Sequence, residues 1–326
     1  MIEFIIEAQS WPIAGRFTIA RGSKTEAQVL YVELHGSDHI GRGESVPYAR
    51  YGESIEASLT ELEAIRPQVE TGLTVEALQS LLPAGAARNA LDCALWDLRA
   101  KQSDVPAFKT AGLRSLSPLK TAYTLSLDSP EAMGAQAAAN ARRPILKLKI
   151  GGADDLDRVE AVRANASKTR LIVDANEGLT FDTLQRIAPE LHKLGVVLIE
   201  QPLPVADDEA LRGYKSPVPL CADESLHTSA DLDRCARLYD CVNIKLDKTG
   251  GLTEALKLNQ AARDKGLMVM VGCMVATSLS MAPAMIVAQG ADFVDLDGPL
   301  LLAKDRDHGL GIVGSMLEPP LPQLWG

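Results

Sequence analysis

The sequence predicts a mixed α/β chain in which a parallel (β/α) barrel follows a smaller α+β domain, and three observations predict it. From about residue 120 onward, short apolar, β-branched runs alternate with longer amphipathic stretches. Those runs end in polar residues at a steady interval. Residues 1 to about 113 lack this rhythm and read as antiparallel strands with helices. The length of 326 residues agrees, because a full α/β barrel takes about 250.

Taken in order, EFIIEA and QVLYVELHG suggest strands, while SIEASLTELEAI and RNALDCALWDL suggest helices. In the second helix Leu91, Ala94, Leu95 and Leu98 form an apolar stripe for the core, and Trp96 is expected to bury against the barrel. Gly112 is placed to end a helix before the crossing into the barrel. Eight strand-like runs follow: TAYTL, PILKLKI, RLIVDAN, VVLIEQP, VPLCADE, CVNIKLD, LMVMVGC and ADFVDLD. The segments between them read as helices. One is Ala-rich, around residues 132–141. Another carries Leu156, Val159 and Val162 on one stripe, with Asp155, Asp157 and Arg163 off it. Thr253 is positioned to N-cap the helix after Gly250 and Gly251.

Hydrophobic residues at 46% and charged residues at 23% supply a large core and argue against disorder. A net charge of -10 and the absence of a Lys/Arg run argue against nucleic acid. The opening MIEFIIEAQSWPIAG carries acidic residues where a secretory signal needs positive charge, and no apolar stretch approaches the ~20 residues that span a bilayer. No membrane association and a cytoplasmic location are therefore expected. Cys93, Cys221, Cys235, Cys241 and Cys273 show no CxxC pair or zinc-like spacing and read mostly as reduced core residues. The expected partner is a small molecule. Oligomeric state is left open, a homo-oligomer included.

In a parallel barrel the functional loops lie where strands end. Walking the tips gives Lys149, Asp174, Glu200, Asp223, Lys245, Gly272 and Asp297, in steps of about 22 to 27 residues, one βα unit each. Asp174, Glu200 and Asp223 end three consecutive strands and would point into one mouth. A single such acid is most simply a helix cap. Three in consecutive units repel one another unless a divalent cation sits between them, and hard oxygens on rigid strands suit Mg²⁺.

In ILKLKI the alternation puts Lys147 and Lys149 on one face and Leu146, Leu148 and Ile150 on the other. The apolar face must meet the helices, so both lysines are expected inside the barrel. Lys245 lies four units round the ring, roughly across the mouth. Two amines could then face opposite sides of one substrate carbon, one taking a proton and the other giving it. A nearby ammonium and Mg²⁺ would lower a lysine pKa and help that division near neutral pH. A proton α to a carboxylate is too weakly acidic for a base alone. A metal ion on the carboxylate oxygens would stabilise the developing charge. An ion pair of Lys245 with Asp247 or Asp223 is the competing structural reading.

As a set, LKLKIGG, VDAN, IEQP, ADES and NIKLDKTGG resemble the muconate-lactonizing subgroup of the enolase superfamily, and IARGS, PYARYGES and AGAARNALDCALWDL resemble its capping domain. The resemblance covers essentially the whole chain. It implies a modified (β/α)7β barrel at 114–305 under an α+β cap formed by 1–113 and completed by about 306–326. It also implies Lys149 and Lys245 as the acid/base pair, Asp174, Glu200 and Asp223 as magnesium ligands, and Lys147 as a holder of the substrate carboxylate. A His-Asp base, as in the mandelate-racemase branch, is disfavoured because Lys245 takes its place.

Within the subgroup, DLDGP resembles dipeptide epimerases, in which Asp295 and Asp297 would hold a free α-ammonium. A plain turn explains Gly298 and Pro299 but not Asp295. The resemblance further implies Arg21 of TIARGSK as the partner of a distal carboxylate, with Lys24 and Arg50 as weaker candidates, and Thr124 and Cys273 as substrate-lining residues. The implied activity is epimerisation of the second residue of a dipeptide, with L-Ala-D/L-Glu the best substrate match. A succinylbenzoate synthase or muconate-type cycloisomerase would use nearly the same parts. A non-catalytic relative is the remote alternative, since no ligand or base is lost.

Overall fold

The computed structural model describes residues 1–19, 22–151 and 155–326. The first part of the chain forms an antiparallel sheet of β1 (Glu3–Ile19), β2 (Gly22–Gly36) and β3 (His39–Ser45), in that order. Helix α1 (Ile55–Ala64) is N-capped by Ser54, whose hydroxyl accepts from Ala57 N. Helix α2 (Ala86–Ser103) lies directly on β3 and is buried on nearly every face, because it separates the sheet from the barrel. The expected stripe of Leu91, Ala94, Leu95 and Leu98 is buried.

The close approach of β3 and α2 depends on Gly43. A methyl there would overlap the carbonyl oxygen of Ala90 and lie 2.8 Å from Ala94 N, both backbone atoms that cannot step aside. Gly43→Ala is therefore expected to lower unfolding free energy by about 1–3 kcal/mol, the usual cost of overpacking, as read by urea denaturation. An unchanged denaturation midpoint would contradict this seating.

Eight parallel strands then form one sheet in sequence order: β4 (Tyr123–Leu125), β5 (Ile145–Lys149), β6 (Arg170–Asp174), β7 (Val196–Glu200), β8 (Leu220–Ala222), β9 (Cys241–Ile244), β10 (Met268–Gly272) and β11 (Phe293–Asp295). Between the first and last strands, Ala122 N donates to Val294 O at 2.8 Å and Leu296 N donates to Thr121 Oγ1 at 2.8 Å. These bonds close the ring of a mostly parallel barrel. Leu146, Leu148 and Ile150 face the helices, as the alternation requires.

The crossovers are less regular than expected. After β7 the chain makes only a 3-10 segment, Val205–Leu211, and after β8 a 3-10 turn and the four-residue helix Leu232–Cys235. Pro202, Pro204, Pro217 and Pro219 all stand in the first of these stretches, between β7 and β8, and withhold the backbone donors a longer helix needs there. Asp155 is also buried, turned back to accept from Gly151 N at 2.7 Å. Thr253 does not cap its helix, Leu252–Asp264, whose N-cap is Gly251. Instead Thr253 Oγ1 donates to Asp92 Oδ1 at 2.6 Å and accepts from Trp96 Nε1 at 2.8 Å, while Thr253 N donates to Asp92 Oδ2 at 3.1 Å. A carboxylate on α2 thus serves the exposed amides of a barrel helix.

The chain's last residues return to α2, where Trp325 Nε1 donates to Cys93 O at 3.0 Å and Gly326 N to Asp97 Oδ1 at 2.6 Å. Among the described residues no helix is long and apolar enough to cross a membrane.

Candidate active site

Each barrel strand sends every second side chain inward. One residue from each of the eight strand segments makes an apolar floor: Ala122, Ile145, Ile172, Leu198, Cys221, Cys241, Met270 and Phe293. Two residues further along, the inward positions become Thr124, Lys147, Asp174, Glu200, Asp223, Asn243, Gly272 and Asp295. Strand register aligns Lys149 with Asp174 and Asp174 with Glu200. One pleat therefore separates a dry plug from an ionic layer.

Above this layer lies a cavity of about 430 Å³ lined by Thr124, Lys147, Lys149, Asp223, Lys245, Cys273, Asp295 and Asp297. Ile13, Phe17, Ile19, Tyr48 and Tyr51 form its other side. Asp174 and Glu200 sit beneath it, fully buried. Lys245 lies just past β9, and Asp297 lies past the end of β11 at Asp295, before the helical turn Gly298–Leu301. Arg21 lies outside the described residues. Lys24 reaches the cavity and stacks 5.7 Å from the Tyr48 ring centre. Arg50 also reaches it, but its guanidinium is held by both oxygens of Glu177 at 2.8 and 2.7 Å.

Charges inside are matched closely. Lys149 Nζ donates to Asp174 Oδ2 at 2.6 Å. Lys147 Nζ lies 3.1 Å from Asp174 Oδ2, 2.6 Å from Glu200 Oε2 and 2.7 Å from Asp295 Oδ2. Lys245 Nζ donates to Asp223 Oδ2 at 2.7 Å, so the ion pair weighed against a catalytic role is present.

These pairs set the direction of each titration. Burial opposes the charge on Lys147, but Asp174, Asp295 and Glu200 outweigh it and hold its pKa well above the usual value. At Lys245 burial is likewise outweighed by Asp223 and Glu200, so its pKa is raised. At Lys245 these carboxylates outweigh the lowering that the Lys147 ammonium exerts. Burial acts against ionised Asp174 and Asp223, yet their lysines hold both pKa values down. Glu200 is pushed up to about 7 by burial and by Asp174.

The donor set fits a hard cation. Among the described residues no group of three His, Cys, Asp or Glu side chains stands ready-made for a metal ion. The three acids are paired with the ammonium groups of Lys147, Lys149 and Lys245. Glu200 Oε2, 2.6 Å from Lys147 Nζ, still accepts no well-directed hydrogen bond. Three oxygen-only carboxylates on neighbouring strand ends, with one oxygen so poorly served, match the preference of a small divalent ion.

The other end of the layer favours a different cation. Asp297 Oδ2 accepts from Thr124 N at 2.6 Å, and burial and Asp295 push its pKa up to about 7. Asp295 Oδ1 is enclosed and accepts no hydrogen bond from a described residue. Two crowded carboxylates with spare acceptor capacity suit a positively charged hydrogen-bond donor. Cys273, half-buried, lines the cavity as a thiol whose pKa is pushed well up by burial and by Asp297.

Sequence reasoning missed three supports. Asn243 Nδ2 donates to Glu200 Oε1 at 2.8 Å. Lys248 Nζ donates to Asp223 Oδ1 at 2.6 Å, Asp223 O at 2.5 Å and Asn243 O at 3.0 Å. Gln201 Oε1 accepts from Asp223 N at 2.9 Å and Ser225 N at 3.1 Å, fixing the tip of β8. Alternation along VNIK could have found Asn243. Gly272, already found by the strand-tip spacing, packs against Asn243, since a methyl there would meet the Asn243 amide at 2.7–2.8 Å and Lys245 Cε at 3.1 Å.

Comparison with known proteins agrees with this architecture. Residues 1–112 match the mandelate racemase/muconate lactonizing enzyme N-terminal domain, and residues 132–308 match the enolase C-terminal domain-like family. The chain is 45% identical over 300 residues to an N-acetyl-D-glutamate racemase from Pseudoalteromonas sp, covering 91% of this chain and 95% of that protein. It is 44% identical over 304 residues to the L-Ala-D/L-Glu epimerase of Escherichia coli K12, covering 93% and 95%. A solved enolase family member from Agrobacterium tumefaciens, described as homologous to dipeptide epimerases and holding sodium and L-Ala-L-Glu, superposes with a TM-score of 0.99 at 49% identity over 100% of both chains. With both halves matched and the barrel layer in place, the chain belongs to the mandelate racemase/muconate lactonizing enzyme family of the enolase superfamily.

Proposed function

We propose that the protein is a dipeptide epimerase, an isomerase that moves a proton at the α-carbon of the C-terminal residue of L-Ala-D/L-Glu. The carrying observation is the pairing of two lysines on well-separated strands with the Asp295/Asp297 shelf in one cavity. In this reading Lys149 takes the proton from one face and Lys245 delivers one to the other, with roles exchanged in the reverse direction. Lys147 orients the substrate carboxylate. Asp174, Glu200 and Asp223 would hold Mg²⁺. When bound, the ion supplies positive charge to the carboxylate oxygens as the α-proton leaves. The segment carrying Arg21 and Lys24 would meet the glutamate side chain, since Arg50 is engaged with Glu177. Residues 1–113 with 306–326 serve as the cap and 114–305 as the barrel, in a cytoplasmic protein.

The relative named N-acetyl-D-glutamate racemase favours a second reading, racemisation of an N-acylated glutamate. That substrate shares the glutamate α-carbon but has no ammonium. The shelf decides between them: Lys147 already serves Asp295 Oδ2, and an acylated amine, or an amine-free acid such as those of cycloisomerases, would bring no second cation to Asp297 and the unserved Asp295 Oδ1. Deuterium uptake at the α-carbon should be measured for L-Ala-L-Glu, other dipeptides and N-acetyl-L-glutamate, with and without Mg²⁺. Asp297→Asn should raise KM for L-Ala-L-Glu roughly ten- to a hundred-fold, the worth of one charged hydrogen bond, without weakening use of N-acetyl-L-glutamate. Undiminished dipeptide turnover by that variant, with preference for the acylated acid, would favour the second reading.

A further inference from the structure

The substrate cavity is walled by loops from two parts of the molecule, and each part offers a buried carboxylate to the other's wall. Glu44, the second-to-last residue of β3, is 1% exposed. It accepts from Thr277 N at 2.8 Å, Thr277 Oγ1 at 2.6 Å, and Arg306 Nε and Nη2 at 2.9 and 2.6 Å. Thr277 lies two residues beyond the last of the cavity-lining residues Cys273, Met274 and Val275 and N-caps the helix Ser278–Val287. Reciprocally, Asp247, two residues beyond Lys245, accepts from Val46 N at 2.8 Å and Asn89 Nδ2 at 3.0 Å. Val46 opens the cap segment that carries Tyr48 and Tyr51 into the same cavity.

Contacts continue from this clasp to the Asp295/Asp297 shelf. Gly298, next to Asp297, lies so close to Ala276 and Met274 that a methyl there would stand 2.9–3.0 Å from their backbone atoms. Glu44, Thr277, the wall loop and the shelf therefore form one packed series. Arg306 adds rigidity, with its guanidinium between the rings of Trp11 and Tyr31 at 4.9 and 4.8 Å. Neither Glu44 nor Thr277 bonds to a lysine or acid of the ionic layer, which is held by its own pairs.

We propose that Glu44 and Thr277 are positioning residues that set the gap between the cap wall and the Asp295/Asp297 shelf, and through it the fit of the substrate rather than the proton transfer. The proposal rests on the epimerase reading of this cavity. It predicts a split in the kinetics. Thr277→Val keeps the shape of the side chain but removes the hydroxyl from Glu44, and should raise KM about ten-fold, the equivalent of one charged hydrogen bond, while kcat stays within about two-fold. Thr277→Ser restores the hydroxyl and should restore KM. Glu44→Gln, which keeps the size of the side chain and loses its charge, should raise KM in the same way.

All proteins are assayed well below their melting temperatures with both L-Ala-L-Glu and N-acetyl-L-glutamate, so the split is read on whichever acid the wild type epimerises. Wild-type turnover of only the acylated acid counts against the dipeptide reading and leaves the clasp testable. A lowered melting temperature with unchanged KM in Thr277→Val and Glu44→Gln overturns the clasp, and so does a fall confined to kcat.

Discussion

The Lys245→Ala protein is expected to wash deuterium into one enantiomer of the substrate while losing epimerisation by roughly 10²–10⁴-fold, the usual contribution of a positioned acid or base. Lys149 ends the second strand of the eight and Lys245 follows directly on the sixth, so they approach a bound α-carbon from different sides. Each has its own carboxylate, Asp174 for Lys149 and Asp223 for Lys245, and removal of one amine leaves the other pair intact. The remaining Lys149 can still remove and return the proton on its own face. Proton NMR in deuterated solvent separates exchange from inversion, and Lys149→Ala should show the opposite enantiomer preference. Full epimerisation by Lys245→Ala would contradict the two-base mechanism.

Chelation of the metal should lower turnover by about 10³-fold or more, because stabilisation of the charge developing on the substrate carboxylate is worth several kcal/mol. Activity should return with Mg²⁺. The fold should survive the treatment almost unchanged. The reason is the lysine set: Lys147, Lys149, Lys245 and Lys248 all lie within 3.1 Å of the proposed ligand carboxylates and neutralise them without a metal ion. Calorimetry of the chelated protein should thus show a melting temperature close to that of the loaded one, alongside the lost activity. Undiminished turnover after chelation would remove the metal from the mechanism.

Much of this was legible because a strand repeats every two residues. The pattern in ILKLKI is enough to put Lys147 and Lys149 inside, and the recurring strand tips bring Asp174, Glu200 and Asp223 to one level. The same rule applied to VNIK reaches Asn243, since the residue two before an inward lysine is also inward. Lys248 escapes the rule. It sits in the helical turn after β9, where direction depends on how the turn folds back over Asp223. Thr253 was misread because a partner 161 positions away, Asp92, supplies the bonds that a local cap would have given. The raised pKa of Lys245 follows from its ion pair with Asp223, which the sequence offered beside Asp247 as a competing reading without deciding between them.

The seam that closes the barrel has a consequence for the order in which the protein assembles. Lys149 with Asp174 and Lys245 with Asp223 are contacts between residues 25 and 22 positions apart, available as soon as neighbouring βα units dock. The bond from Thr124 to Asp297 spans 173 positions, and Lys147 meets Asp295 across 148. Long loops close late because their entropy must be lost before their contacts are gained. The lysines proposed to move the proton can therefore be in place while the ring is still open, and the Asp295/Asp297 shelf proposed to recognise the substrate forms only at the final closure. A partly folded chain of this kind would hold its chemistry before it held its selectivity.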